Sequence, residues 1–173
     1  MTTKGYARTY KYQRLLDLLD PANNLVVGVG NTSPWAIEAA PPIIDVLLEE
    51  QEELQLLLPV TKKVAVKEVL VTPATTHYVV ANKIFKEVSS TFTAIRTEQA
   101  TKLLVETKLD HSKLTVGSYR SIALYQRATI PTEQKLAYTP NEIISKSLLY
   151  IEQFQAVDVQ PDVTETIRMV IDV

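Results

Sequence analysis

The stretch TETIRMVIDV at residues 164–173 alternates between two kinds of side chain. In a β-strand successive side chains point to opposite faces, so every second residue shares a face. One face would carry Ile167, Met169, Ile171 and Val173, and the other Thr166, Arg168, Val170 and Asp172. This pattern predicts a closing strand that lies inside a sheet.

Short runs with a preference for β-structure precede this stretch, and turn-like segments separate them. The runs lie at residues 25–29, 64–71, 77–80, 84–88, 102–109, 119–127 and 147–154. Several short strands with turn signals between them are typical of an antiparallel sheet or sandwich.

Helical patterns occur at two main places. Residues 8–19 place apolar side chains at helical spacing, and Asp20-Pro21 predicts the end of that helix because the residue before proline avoids the α region. Residues 43–53 predict a second short helix with an acidic C-terminal half. A capping-box pattern beginning at Thr139 predicts one further helical turn over residues 140–145. The sequence therefore predicts an α+β fold, with an antiparallel β-sheet or sandwich core, an N-terminal helix and a second short helix.

Length and composition indicate one globular domain over residues 1–173, with a basic, β-rich middle at about 60–116. The chain has no cysteine, which excludes disulfides, cysteine-type zinc sites and thiol catalysis. The polar N-terminus is unlike a secretory signal, and no stretch approaches the roughly 18 apolar residues of a membrane span. We expect synthesis in a cytoplasm and no membrane partner.

Charge is distributed unevenly around a net value of −2. Residues 1–59 carry 4 basic and 8 acidic side chains, residues 60–130 carry 11 and 5, and residues 131–173 carry 3 and 7. A basic middle could serve a small nucleic-acid-binding or assembly-chaperone module. Its basic residues, however, stand singly between apolar ones, as on the solvent face of a strand. This spacing favours charge-complementary packing against another copy or another subunit.

Catalytic and ligand-binding patterns are weak throughout. Gly28-Val29-Gly30 lacks the third glycine of a dinucleotide fingerprint and has no Walker lysine after it. His77 and His111 have no acidic partner at ligand spacing, so we expect surface or strand positions for both. No nucleophile, base and orienting group occur together in a recognisable pattern. These observations predict a protein that is not an enzyme and has no cofactor and no metal.

A proline-rich loop contains the single tryptophan of the chain. It runs from Gly30 through Pro34-Trp35 to Pro41-Pro42 and Asp45. Prolines reduce the entropy lost when such a loop becomes ordered. Trp35 could fill the protein's own core or anchor a partner subunit, and both interpretations stay open.

This loop and two later stretches together resemble the T4-type baseplate wedge family, the contractile-tail phage subunit known as the product of gene eight. The second stretch surrounds Tyr119-Arg120, and the third runs from residues 148–152 to 161–168. The resemblance covers roughly residues 6–59 and 117–173, and it implies an interface or motif role for a set of residues. They are Gly30, Pro34, Trp35, Pro41, Pro42, Asp45, Tyr119, Arg120, Tyr150, Glu152 and Glu165.

The resemblance implies a structural subunit of a contractile tail baseplate wedge, located in the virion. Such a subunit would form a homodimer, contact other wedge subunits and pass on a baseplate rearrangement through repacked interfaces. The chain departs from the family where Gln153-Phe154 replaces the usual Asn-Arg and Val163 replaces Gln.

The loop generates one stability prediction. If Trp35 fills the core, Trp35→Ala should lower the free energy of unfolding by about 3 kcal/mol, because a large buried aromatic leaves a cavity. Urea unfolding measures this change. Unchanged stability with failed subunit assembly would identify Trp35 as an interface anchor, and no change in either property would exclude both roles.

Overall fold

The structure is a computed structural model that describes residues 3–30, 54–113, 118–129, 147–158, 160 and 162–173. Its helices are α1 (Thr3–Leu19) and α2 (Phe92–Glu98), and a short 3-10 helix covers His111–Lys113. Its strands are β1 (Val26–Gly30), β2 (Leu54–Pro59), β3 (Lys62–Val69), β4 (His77–Val80), β5 (Lys83–Val88), β6 (Lys102–Asp110), β7 (Ser118–Gln126), β8 (Ser147–Asp158) and β9 (Thr164–Asp172).

The strands form two sheets in the described part of the chain. One has the order β2-β1-β7-β8 and the other the order β4-β5-β3-β6-β9. The described registers of both sheets are antiparallel. The predicted α+β class, with antiparallel sheets, an N-terminal helix and a short second helix, is therefore confirmed.

The chain divides into two compact units. The first contains Met1–Asn23, Thr61–Glu106 and Ile167–Val173, and the second contains Asn24–Val60 and Thr107–Thr166. The divisions fall within β6 and β9, so both strands contribute residues to both units. The single folding domain expected from the length stays a prediction.

In the first unit, α1 and α2 pack on the five-stranded sheet through β3 and β5. Leu15 of α1 and Ile95 of α2 are fully buried. The alternation predicted for β9 is confirmed, since its buried residues are Ile167, Met169 and Ile171, while Arg168 and Asp172 are exposed. The opposite face of the sheet has its own apolar cluster, formed by Val66, Tyr78, Phe85 and Leu104.

In the second unit, β1 and β7 are the central strands of the four-stranded sheet. All five residues of β1 are buried, as are residues 119–125 of β7. Gly30, the last residue of β1, is opposite Ser121 of β7 and Leu54 of β2.

Local chemistry explains where several elements end. The helix α1 stops before Asp20-Pro21 as predicted, although it begins five residues earlier than the pattern indicated. Lys63 of β3 donates from Nζ to the carbonyl oxygens of Asp20 and Asn23 at 2.7 and 2.6 Å, and it thereby satisfies acceptors that follow the helix. Burial lowers the pKa of Lys63, a cost that these acceptors offset.

The turn between β4 and β5 requires two left-handed residues. Ala81 and Asn82 have φ of 49° and 63°, as expected for the two-residue hairpin turns whose twist matches the strands. Asparagine tolerates this region, whereas the Cβ of alanine is crowded there.

Two elements were not predicted from the sequence. The helix α2 begins after Thr91, whose Oγ1 accepts from the N–H of Ala94 at 3.2 Å, and ends at left-handed Gln99. The strand β2 was also not predicted. The predicted helix at 43–53, most of the turn cluster at 30–34 and the helical turn at 140–145 lie outside the described residues. Neither of the helices in the described part of the chain is long and apolar enough to span a membrane.

The position of β9 generates the second prediction. Deleting residues 164–173 should prevent soluble folding, because the deletion removes three buried apolar side chains and the bond from the N–H of Val173 to the carbonyl of Thr101. As a milder change, Ile167→Ala should lower the free energy of unfolding by about 2–5 kcal/mol. Thr166→Ala, on the exposed face of β9, is the matched control. A truncated chain with a cooperative melt of similar midpoint would show that β9 is peripheral.

Candidate functional site

The structure brings together two of the residues singled out from the sequence. The hydroxyl of Tyr119 on β7 donates to Oε2 of Glu165 on β9 at 2.8 Å, across 46 positions of sequence. Tyr119 is 2% exposed. Its burial and then the nearby carboxylate raise the pKa of Tyr119, which keeps the phenol protonated and able to donate.

His111 completes the same arrangement. Its Nε2 lies 3.0 Å from Oε2 of Glu165, and its Nδ1 accepts from the backbone N–H of Gln160 at 3.1 Å. Because Nδ1 accepts, the ring proton is on Nε2 and points at the carboxylate. The rings of His111 and Tyr119 meet edge to face, with centroids 6.0 Å apart. We call His111, Tyr119, Gln160 and Glu165 the Glu165 cluster.

The expectation for His111 was wrong. It is buried, at 3% exposure, in the 3-10 helix that follows β6 rather than in a strand or on the surface. Its acidic partner, Glu165, lies 54 positions later in the sequence, and local spacing therefore did not reveal it. A buried imidazole is stable there because both ring nitrogens have partners. His77 lies exposed on β4, as expected.

Backbone bonds reinforce the cluster. The N–H of His111 donates to the carbonyl of Val163 at 3.0 Å, and the N–H of Val163 donates to the carbonyl of Gln160 at 2.9 Å. Asp110 accepts from the hydroxyl and the N–H of Ser112, which lowers the pKa of Asp110 and fixes the start of the 3-10 helix. The end of β6 is thereby fastened to the residues that lead into β9.

The hydrogen bonds of the Glu165 cluster indicate a structural role. A histidine beside a carboxylate can serve general acid–base catalysis, but here both imidazole nitrogens are engaged within the protein. The one carboxylate oxygen accepts from two buried donors. Among the residues that the structure describes, no group of three or more histidine, aspartate or glutamate side chains is arranged to hold a metal ion.

The remaining motif residues lie elsewhere. Tyr150 and Glu152 share a face of β8, and the hydroxyl of Tyr150 donates to Oε2 of Glu152 at 3.0 Å. Burial, followed by the carboxylate, raises the pKa of Tyr150 to about 12. Arg120 is buried on β7 and donates from Nη1 to Oγ of Ser118 at 3.2 Å. Five further motif residues, Pro34, Trp35, Pro41, Pro42 and Asp45, lie outside the described residues.

Several lysines of the basic middle are engaged within the chain. Lys86 and Lys67 approach the carboxylate of Glu98 at 3.4 and 4.0 Å, and Lys102 pairs with Asp172 at 2.6 Å. The last pair joins the basic middle to the acidic C-terminal segment. Such partly exposed pairs contribute little to stability, but they reduce the positive charge available to other ligands.

A second set of charges surrounds Tyr78, on the face of the five-stranded sheet that carries Val66 and Phe85. Nζ of Lys62 lies 4.7 Å from the centre of the Tyr78 ring, and the guanidinium of Arg168 lies 6.0 Å from it. The hydroxyl of Tyr78 donates to Glu87 at 2.7 Å, and Nε of Arg168 donates to Glu106 at 2.8 Å. The interaction of Lys62 with the Tyr78 hydroxyl, followed by the negative charges of Glu87 and Glu106, raises the pKa of Lys62.

Comparison with known protein families identifies what the chain is similar to. A family model described as "Baseplate wedge 3 tail fiber network component" matches residues 12–173. It includes the middle of the chain, where the motif resemblance was loose. A search of curated proteins found no match. The resemblance to phage baseplate wedge proteins inferred from the sequence is confirmed.

The Glu165 cluster generates the third prediction. Glu165→Ala should lower the free energy of unfolding by about 2 kcal/mol, because the buried Nε2–H of His111 would lose its acceptor and the Tyr119 hydroxyl would lose its bond to Oε2. Urea unfolding of purified variants measures the change.

Glu152→Ala is the matched control for this prediction. Glu152 is exposed and also accepts from a tyrosine hydroxyl, so its loss should cost well under about 1 kcal/mol. Equal losses for the two variants would contradict the assignment of the Glu165 cluster as a structural fastening.

Proposed function

The chain belongs to the family of baseplate wedge 3 tail fiber network components, and on that premise we propose that it is a non-enzymatic subunit of a contractile tail baseplate wedge. Membership gives it a structural role in the phage baseplate and a location in the virion tail. The finer assignments to a contractile tail, to a position in the wedge and to mechanical transmission are our own.

The observation that carries this proposal is the extent of the family match. It runs from residue 12 to residue 173 and therefore includes the second compact unit with the Glu165 cluster and all of the first unit except residues 1–11. Two motif residues that suggested a wedge protein, Tyr119 and Glu165, also bond to each other. This contact gives both residues a physical task in the same protein.

A mechanical role requires elements that keep their geometry under load. The Glu165 cluster supplies such a constraint, because it joins the end of β6, the strand β7 and the start of β9 through buried polar bonds. Breaking it leaves buried donors unsatisfied, which costs more than losing an equivalent exposed contact. A subunit with such a constraint deforms little, so it can transmit a displacement from one interface to another.

We further propose that the chain assembles with itself as a homodimer and with other baseplate subunits. The family description names a tail fiber network, which suggests neighbours of that kind. The uneven charge along the sequence supports contacts between copies, since acidic and basic segments of separate chains can complement each other.

The nucleic-acid alternative is less well supported by the structure. Phosphate binding needs lysines that are free to neutralise charge. Lys102 is instead paired with Asp172, and Lys67 and Lys86 share the carboxylate of Glu98, which lowers the net positive charge of this region without removing it.

Imaging of intact tails tests the proposal. We expect density for this chain in the baseplate of tails from the phage that encodes it, and we expect tails without the chain to lack complete baseplates. Complementation with Thr166→Ala should restore assembly, whereas Glu165→Ala should restore less. Density for the chain outside the baseplate, or complete baseplates formed without it, would refute the assignment.

A further inference from the structure

One corner of the five-stranded sheet carries an unusual concentration of exposed aliphatic side chains. In the described part of the chain the large hydrophobic residues that are most exposed are Tyr10, Leu70, Val71, Val79 and Val163. Three of these five lie at the corner where β3 ends and β4 runs beside β5. Leu70 is 96% exposed, Val71 78% and Val79 58%. Isolated exposed aliphatics are ordinary, but a group of them is typical of an interaction surface.

The strand registers place this group in a row. Val79 of β4 lies opposite Ile84 of β5, which lies opposite Val69 of β3. Residues directly opposite each other on paired strands share a face. Leu70 and Val71 follow Val69 immediately, beyond the end of β3, and are the two most exposed of the group.

A basic row runs beside the aliphatic one on the same face. His77 lies opposite Lys86, and Lys86 lies opposite Lys67, each two residues from a member of the aliphatic row. Side chains two residues apart on a strand share a face. We call the two rows together the β3–β5 strip.

The basic row is only partly neutralised. Two lysines directly opposite each other repel, and the carboxylate of Glu98 on α2 offsets this by approaching both. One carboxylate is therefore shared by two lysines that stand beside a histidine. The side chains of Lys67 and Lys86 stay 45% and 30% exposed, so their charge is available at the surface.

The complement of such a strip is a segment with aliphatic and acidic side chains close together. The sequence has one at residues 43–53, IIDVLLEEQEE, which carries five aliphatic and five acidic residues. Its aliphatic residues lie in the first half and its acidic residues mainly in the second, as noted from the sequence. The charge of this segment is opposite to that of the strip.

We propose that the β3–β5 strip docks residues 43–53 of a second copy of the chain. The proposal rests on the homodimer put forward above and identifies its contact surface. In a two-fold symmetric dimer each copy offers one strip and one acidic segment, so the contact occurs twice. Aliphatic contacts supply affinity, and the opposite charges select the partner and its orientation.

Sedimentation of the full-length purified chain tests the aliphatic row. The wild type should dimerise, and Leu70→Asp combined with Val79→Asp should raise the dimer dissociation constant at least about tenfold. The control is Tyr10→Asp, which alters a large hydrophobic residue on α1 that is 62% exposed, close to the 58% of Val79, and should leave the constant unchanged. Circular dichroism melts verify that all variants are folded.

A charge exchange tests the proposed occupant. Chains with Lys67→Glu and His77→Glu, and separate chains with Glu49→Lys and Glu52→Lys, should each dimerise at least about tenfold more weakly than the wild type. An equal mixture of the two should recover dimers, because the altered strip meets the altered segment and the unaltered strip meets the unaltered segment.

Every other outcome contradicts a specific part of the proposal. A wild-type dimer that the strip variants leave intact refutes the strip and keeps the homodimer. A wild type that stays monomeric refutes both, while the imaging of tails still decides the baseplate role. If each variant chain alone dimerises weakly and the mixture does not recover dimers, residues 43–53 are not the occupant. Strip variants that impair baseplate assembly but not dimerisation identify a different subunit as the partner.

Discussion

One carboxylate oxygen, Oε2 of Glu165, fixes the geometry on which the second unit depends. It accepts from the buried hydroxyl of Tyr119 and from the buried imidazole of His111. Each donor alone would be costly to bury, and a single partly exposed acceptor satisfies both. The position of the start of β9 relative to β7 and to the end of β6 follows from this shared acceptor.

The elements that the sequence predicted well have local signals. The period-two pattern of residues 164–173 identified β9, and the bounds of β4 agree with the predicted run because turn residues flank it. The helix α2 was not found because its seven residues include two threonines and no long apolar stripe. The strand β2 was not found because its leucines continue an acidic stretch without alternation.

The site was only partly accessible to the same reasoning. Tyr119 and Glu165 were singled out through a resemblance, without any indication that they touch. His111 was misplaced, because its partners Gln160 and Glu165 lie about fifty positions away and no spacing rule spans that distance. Contacts of this kind depend on sheet topology, which local patterns do not determine. Their physical cost, a buried polar ring that needs two partners, can be evaluated only once the fold is known.

The division of β6 and β9 between the two units has a consequence for how the protein is made. Neither unit is encoded by one contiguous stretch: the first draws on three separate segments and the second on two. Both require residues from 164–173, since β9 supplies Glu165 to one unit and Ile167 to the other. A ribosome translating this chain therefore completes neither unit until those residues have emerged. Folding must then close loops of many tens of residues at once, which favours slow, concerted folding over stepwise folding of one unit before the other.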